Sequence, residues 1–181
     1  IQKAWELVLD FMEGDSSALW TLCIVTAVPK KITTADILAA RPWNVKARVL
    51  EGDTIKKLDE VTVASINDLK GFEFRVVIVL GCQAGLLPDS GVPQQEVWRD
   101  ALRLYVAMTR GRDHVYLLHE EEPSEFLGAM GDAVLRREET CVKHYRKIGG
   151  SAAPKQQAPK EKKLVQLGAL AGDPNFNCTK M

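Results

Sequence analysis

Phe74–Gly81 reads FRVVIVLG, apolar at nearly every position after its arginine. A strand with one wet face alternates polar and apolar residues, whereas an unbroken apolar run belongs to a strand covered on both faces, as in a parallel sheet. Related runs stand on either side of it. TLCIVTAV (21–28) is β-branched and bounded by Pro29, VKARVLEG (45–52) ends at Gly52, EVTVASI (60–66) comes next, and HVYLLH (114–119) follows. Between them lie helical patterns. Ile1, Ala4, Trp5, Val8, Phe11 and Met12 recur at intervals of three and four until Gly14-Asp15, and TTADILAA (33–40) opens on a capping Thr. From Pro93 onward Val97, Ala101, Leu104, Tyr105 and Met108 mark one side of a helix, and SEFLGAMGDAVLRREETCVKHY (124–145) predicts an interrupted helix capped by Ser124. Strands alternating with helices predict an α/β fold, a parallel sheet flanked by helices.

Composition bounds the rest. The chain has 181 residues, enough for one domain plus a tail, and its charges cancel, so no global field draws it to nucleic acid or anionic membrane. The first residue is Ile, which predicts a fragment or a processed product. Cys23, Cys82, Cys141 and Cys178 form no C-x-x-C pair and have no His at ligand spacing, which argues against a disulfide framework or a zinc site. No metal site is expected. Buried reduced thiols, no membrane-length apolar run and no secretory signal predict a cytoplasmic setting without membrane partners. The domain is expected over 1–148. Residues 149–163, SAAPKQQAPKEKK within them, have the composition of a flexible linker, and 164–181 form a short apolar tail suited to docking on the domain or on a protein partner.

In open α/β sheets ligands lie beyond the carboxyl ends of the strands, so the loops after the strands are the places to look. NDLKGFEF (67–74) holds Lys70-Gly71, where glycine permits close approach of a ligand, and Glu73 between two phenylalanines that would anchor it. The same residues suit a plain turn with glycine at positive φ and a solvated Glu. The second place is LYVAMTRGRDHVYLL (104–118), where Arg110 stands between helix and strand. Arg99, Arg103 and Arg110 share one helix face. The first two have Glu96 and Asp100 nearby and read as a salt-bridged surface, whereas Arg110 has a fork suited to phosphate. Trp20, Trp43 and Trp98 read as core or edge packing, and His114, His119 and His144 as structural or solvated. KEKK (160–163) reads as solvated linker with at most weak phosphate contact.

VASINDLKGFEFRVVIVLGCQAGLLP (63–88) followed by DALRLYVAMTRGRDHVYLLH (100–119) resembles the fifth and sixth motifs of UvrD/Rep-type superfamily 1 DNA helicases, whose usual forms include K-G-L-E-F and L-Y-V-A-x-T-R-A. The resemblance covers about residues 20–120 and implies the second, C-terminal RecA-like domain of such a motor. It implies that Arg110 reaches the γ-phosphate of ATP, that Glu73 binds the ribose with Lys70 and Gly71 in the loop before it, and that Ser65 and Asn67 lie near single-stranded or partly duplex DNA. Mg2+ would travel with ATP and be held mainly by an N-terminal RecA-like domain, because this chain has neither G-x-x-x-x-G-K-[ST] nor an acidic strand end of the Walker B type. The chain would then be inactive alone as an ATP hydrolase and active as half of one. Some residues depart from the pattern. Asn67 stands where the family usually has His, Arg99-Asp100 replaces an acidic pair, and Lys30 or Lys31 takes the place of an earlier motif Arg. The family's large insertion ahead of the fifth motif has no room here. The other readings are a catalytically inactive RecA-like scaffold or protein-interaction module, and a motor that tracks RNA instead of DNA.

Overall fold

A computed structural model describes residues 1–14, 16–52, 59–131 and, as backbone, 134–139 and 162–167. Helix α1 (Gln2–Gly14) leads through a short 3-10 turn (Ser16–Thr21) into strand β1 (Leu22–Thr26), helix α2 (Thr34–Ala39) and strands β2 (Ala47–Val49), β3 (Val61–Ser65) and β4 (Phe74–Leu80). Helix α3 (Gln94–Met108), strand β5 (Gly111–Glu120), helix α4 (Glu125–Ala129) and strands β6 (Val134–Glu139) and β7 (Lys162–Leu167) complete it. The sheet order is β2-β3-β1-β4-β5-β7-β6. The first five strands in that order are mutually parallel, as the unbroken apolar runs predict, and β7 and β6 extend the sheet antiparallel.

Both faces of the central strands are covered, and the side chains divide by parity. Cys23, Val25, Val77, Val79, Val115 and Leu117 face the layer of Leu104 and Ala107 from α3 and Leu127 from α4. Ile24, Val63, Val76, Ile78, Tyr116 and Leu118 face Ala4, Trp5 and Val8 from α1 and Ile37 from α2. This is a RecA-like α/β sandwich. Local chemistry fixes the helix ends: Thr33 caps α2 by accepting from the Asp36 amide, and the Asp36 carboxylate accepts from the Thr33 amide in return. The buried Trp5 indole donates to the Ile37 carbonyl at 2.9 Å, tying α1 to α2.

Four expectations are corrected. Residues 134–139 form a strand instead of continuing the helix after Ser124, because backbone pairing with β7 overrides local helix preference there. β7 begins at Lys162, inside the expected linker, and pairs with β5 from Val115 to Glu120. The remainder of the expected linker and tail, with Cys141, His144 and Cys178, lies outside the described residues. On α3 the buried face centres on Leu104 and Ala107, so Tyr105 points outward, 61% exposed, beside Trp98 and Leu102. Trp43 is 96% and Trp98 66% exposed, and neither packs into the core. Trp43 lies on the loop before β2, and Trp98 faces away from the sheet.

Among the described residues no helix is long and apolar enough to cross a membrane. Cys23 and Cys82 are buried free thiols, and burial pushes the Cys82 thiol up to about 12, which removes it as a nucleophile.

Candidate nucleotide-facing edge

Ser65, Thr26 and Leu80 lie level with one another at the carboxyl ends of β3, β1 and β4, since Thr26 is in register with both Ser65 and Leu80. Phe74 and Gly111 lie level at the opposite, amino ends of β4 and β5. A parallel crossover must return along the length of the sheet before its next strand begins. The connection NDLKGFEF therefore starts at one end and delivers Glu73 to the other. This corrects the expectation that the candidate ligand residues cluster at the carboxyl ends: Ser65 and Asn67 do, while Glu73 and Arg110 stand at the amino ends. With seven residues in β4, about 20 Å separate the two groups.

At the amino end the crossover is anchored by its apolar residues. Leu69 and Phe74 are buried and Phe72 packs against the same cluster, which leaves Lys70, Gly71 and Glu73 exposed. Gly71 has φ +87, and a Cβ there would meet nothing within 4 Å, so the turn needs glycine for its backbone conformation. The Phe74 amide donates to the Arg110 carbonyl at 2.9 Å, bringing Glu73 and Arg110 to adjacent strand starts. Helix α3 ends at Met108, Thr109 is its cap, and β5 begins at Gly111, so only two residues separate helix from strand. The Arg110 Nε donates to the Val106 carbonyl at 3.2 Å, satisfying one of the carbonyls that a helix C-terminus leaves open. Arg110 is half-buried and makes no ion pair among the described residues. Its neighbour Arg75 differs, with its Nε 2.7 Å from Asp113 Oδ2 across the β4–β5 pair.

The register between β4 and β5 shifts at this point. Phe74 pairs with Gly111 but Val76 with His114, so β5 carries one extra residue there. The same irregularity turns Phe74 toward the α3 side and Val76 toward the α1 side. Gly111 is hemmed in: a Cβ on it would lie 2.5 Å from Val115 Cγ2 and 2.9 Å from the His114 carbonyl oxygen.

The carboxyl end is a cleft of about 420 Å³ lined by residues that include Lys30, Lys31, Asn67, Arg99 and Arg103. Ser65 Oγ accepts from both the amide and the side-chain Nδ2 of Asn67 at 3.3 and 3.4 Å. Most cations here are matched. Lys31 Nζ is 3.0 Å from Asp89, Arg103 Nη1 is 2.9 Å from Asp100, and Arg99 pairs with Glu96, as their spacing predicts. The Lys31 hydrogen bond and charge hold the Asp89 carboxyl below its ordinary range. Spacing alone did not reveal two features of the amino end, the Thr109 hydroxyl within hydrogen-bond distance of Arg110 and the tight fit at Gly111. A Thr-Arg-Gly run at a helix-to-strand junction is the signal that was available for both. Among the described residues no group of three or more His, Cys, Asp or Glu is placed to hold a metal ion.

Part of the chain is similar to known proteins. Residues 43–122, the stretch containing Ser65, Glu73 and Arg110, match the UvrD-like helicase C-terminal domain. A probable DNA helicase II homolog of Mycoplasma capricolum subsp. capricolum is 28% identical over 88 residues, which cover 41% of this chain. The match spans 12% of that relative's length. Among solved structures, the chain is similar to the magnesium protoporphyrin IX methyltransferase of Synechocystis PCC 6803, with 9% identity over 93% of this chain and 79% of that one and a TM-score of 0.43. It is also similar to Thermoplasma acidophilum 1320, with 10% identity over 92% of this chain and 88% of that one and a TM-score of 0.39. Residues 43–122 of this chain are thus similar to the C-terminal domain of UvrD-like helicases.

Proposed function

We propose that the chain is the C-terminal motor domain of an ATP-dependent superfamily 1 DNA helicase, and that its amino-end edge completes a nucleotide site held mainly by a companion N-terminal RecA-like domain. The observation that carries this reading is the pairing of Phe74 with Arg110, which sets an exposed carboxylate beside a guanidinium that has no acid partner among the described residues. A carboxylate at Glu73 suits the ribose hydroxyls, with Lys70 and Gly71 in the turn before it. A planar fork at Arg110 suits the γ-phosphate, where it would stabilise charge that develops during phosphoryl transfer. ATP with Mg2+ supplies the transferred phosphoryl group and its metal, the metal being held mainly by the companion domain. Ser65 and Asn67, at the other end of the sheet, would meet the phosphates of single-stranded or partly duplex DNA.

The test joins this chain to a Walker-bearing first domain and measures DNA-stimulated ATP hydrolysis with and without Arg110→Ala. The reading requires a loss of about a thousandfold or more, the scale at which arginine fingers act. Turnover unchanged in the variant sinks it and leaves the inactive scaffold as the better account.

A further inference from the structure

We propose that Thr109 is a positioning residue for Arg110, an inference that rests on the role just assigned to Arg110. The backbone of the junction is already held: the Thr109 amide donates to Tyr105, the Arg110 amide to Ala107, and the Arg110 carbonyl accepts from Phe74. What remains is the long side chain of Arg110. The Val106 carbonyl accepts from both sides of the junction, from Thr109 Oγ1 at 2.8 Å and from Arg110 Nε at 3.2 Å. Having given its one hydrogen to Val106, the Thr109 hydroxyl offers lone pairs, and Arg110 Nη2 lies 3.4 Å away as their donor.

Carbonyl, hydroxyl and guanidinium thus close into a small ring. The ring turns the Nε side of the guanidinium back onto the helix end and leaves Nη1 uncommitted. All of its partners are neutral, so the guanidinium is oriented while its charge stays uncompensated. A carboxylate would have aimed it equally well, as Asp113 does for Arg75, but would have offset the charge that a phosphate requires.

A threonine hydroxyl bonded to the carbonyl three residues back is also a common local habit of helix ends, so the test must separate aiming from capping. In the assembled two-domain motor, Thr109→Val, which keeps the shape and removes the hydroxyl, should lower kcat for DNA-stimulated ATP hydrolysis about ten- to a hundredfold, the penalty for a misplaced reacting group. KM for ATP should stay within about twofold, and Thr109→Ser should restore most of the rate. Thr109→Ala serves as a second variant without the added methyl, and thermal unfolding of each reports whether the domain is intact. A second readout is the proton exchange rate of Arg110 Nε–H by NMR, expected to rise in the Val and Ala variants and not in Ser. Normal kcat in both Val and Ala variants, in a motor that Arg110→Ala disables, overturns the positioning role alone. If Arg110→Ala itself leaves turnover unchanged, the reading of Arg110 fails and this inference fails with it.

Discussion

The two ends of the sheet handle positive charge differently. Around the carboxyl-end cleft Lys31, Arg99 and Arg103 each have an acid partner in Asp89, Glu96 or Asp100. At the amino end Arg75 is matched by Asp113, but Arg110, one strand away, is held by a carbonyl and a hydroxyl. A cation with an acid partner mainly fixes local geometry, and its exposed pair contributes little to stability. A cation held by neutral groups keeps its charge for something else. The difference sets Arg110 apart from Arg75, Arg99 and Arg103, the arginines of the two sheet ends that do have acid partners.

The strongest way to break the comparison is to exchange the two kinds of arginine in the assembled motor. Arg110→Ala should cost about a thousandfold or more in DNA-stimulated ATP turnover, which is about 4 kcal/mol of transition-state stabilisation. Arg110→Lys should recover little of it, because a point charge cannot present the bidentate fork. Under the same assay Arg99→Ala should stay close to the parent rate. Equal losses in the two Ala variants would mean that acid pairing does not separate structural from functional cations here.

The next largest effect concerns how Arg110 is presented. The family's usual sixth motif ends in Thr-Arg-Ala, whereas this chain has Gly111 at a point where an added Cβ meets the Val115 side chain and the His114 backbone below 3 Å. Gly111→Ala should destabilise the domain by about 1–3 kcal/mol, the usual cost of overpacking, measured by chemical denaturation. It should also displace the extra residue of β5 and with it the aim of Arg110. A variant with the parent denaturation midpoint would show that the irregular start of β5 accommodates a methyl group and that Gly111 is not required by crowding.

Much of this was readable in advance, for physical reasons that also explain the misses. The runs at Leu22–Thr26, Val61–Ser65, Phe74–Leu80 and Val115–His119 are, apart from Ser65 and the exposed Arg75, buried on both faces, and burial on both sides leaves a signal that needs no partner to interpret. β6 and β7 were not legible, because VLRREE and KKLVQL are strands only by virtue of pairing with each other and with β5. A stripe at helical spacing locates a helix but sets its rotation only to within a residue or two, which is why the stripe turns Tyr105 inward and omits Ala107. At the candidate site, composition and motif pointed to Glu73 and Arg110 separately. Their adjacency at the amino ends depends on strand order, and the bonds from Thr109 and Arg110 to Val106 depend on where α3 stops. Neither quantity is local.

The smallest effects should come from the matched pairs of the carboxyl end, and that smallness is itself the test of the comparison's other half. Arg103→Ala should change stability by no more than about 0.5 kcal/mol, as for a partly exposed pair within one helix. The Lys31–Asp89 link adds a pH dependence whose sign follows from its chemistry. Lys31 depresses the Asp89 carboxyl below its ordinary value of 3.8, so the folded chain releases that proton more readily than the unfolded chain. Its contribution is complete above the ordinary value and is lost as pH falls through the depressed one. Asp89→Asn should therefore differ from the parent only slightly at neutral pH, and the difference in unfolding midpoint should vanish in acid below the aspartate range. A difference that persists in acid would show that Asp89 acts through packing instead of charge, and the carboxyl-end cations could then no longer be treated as neutralised.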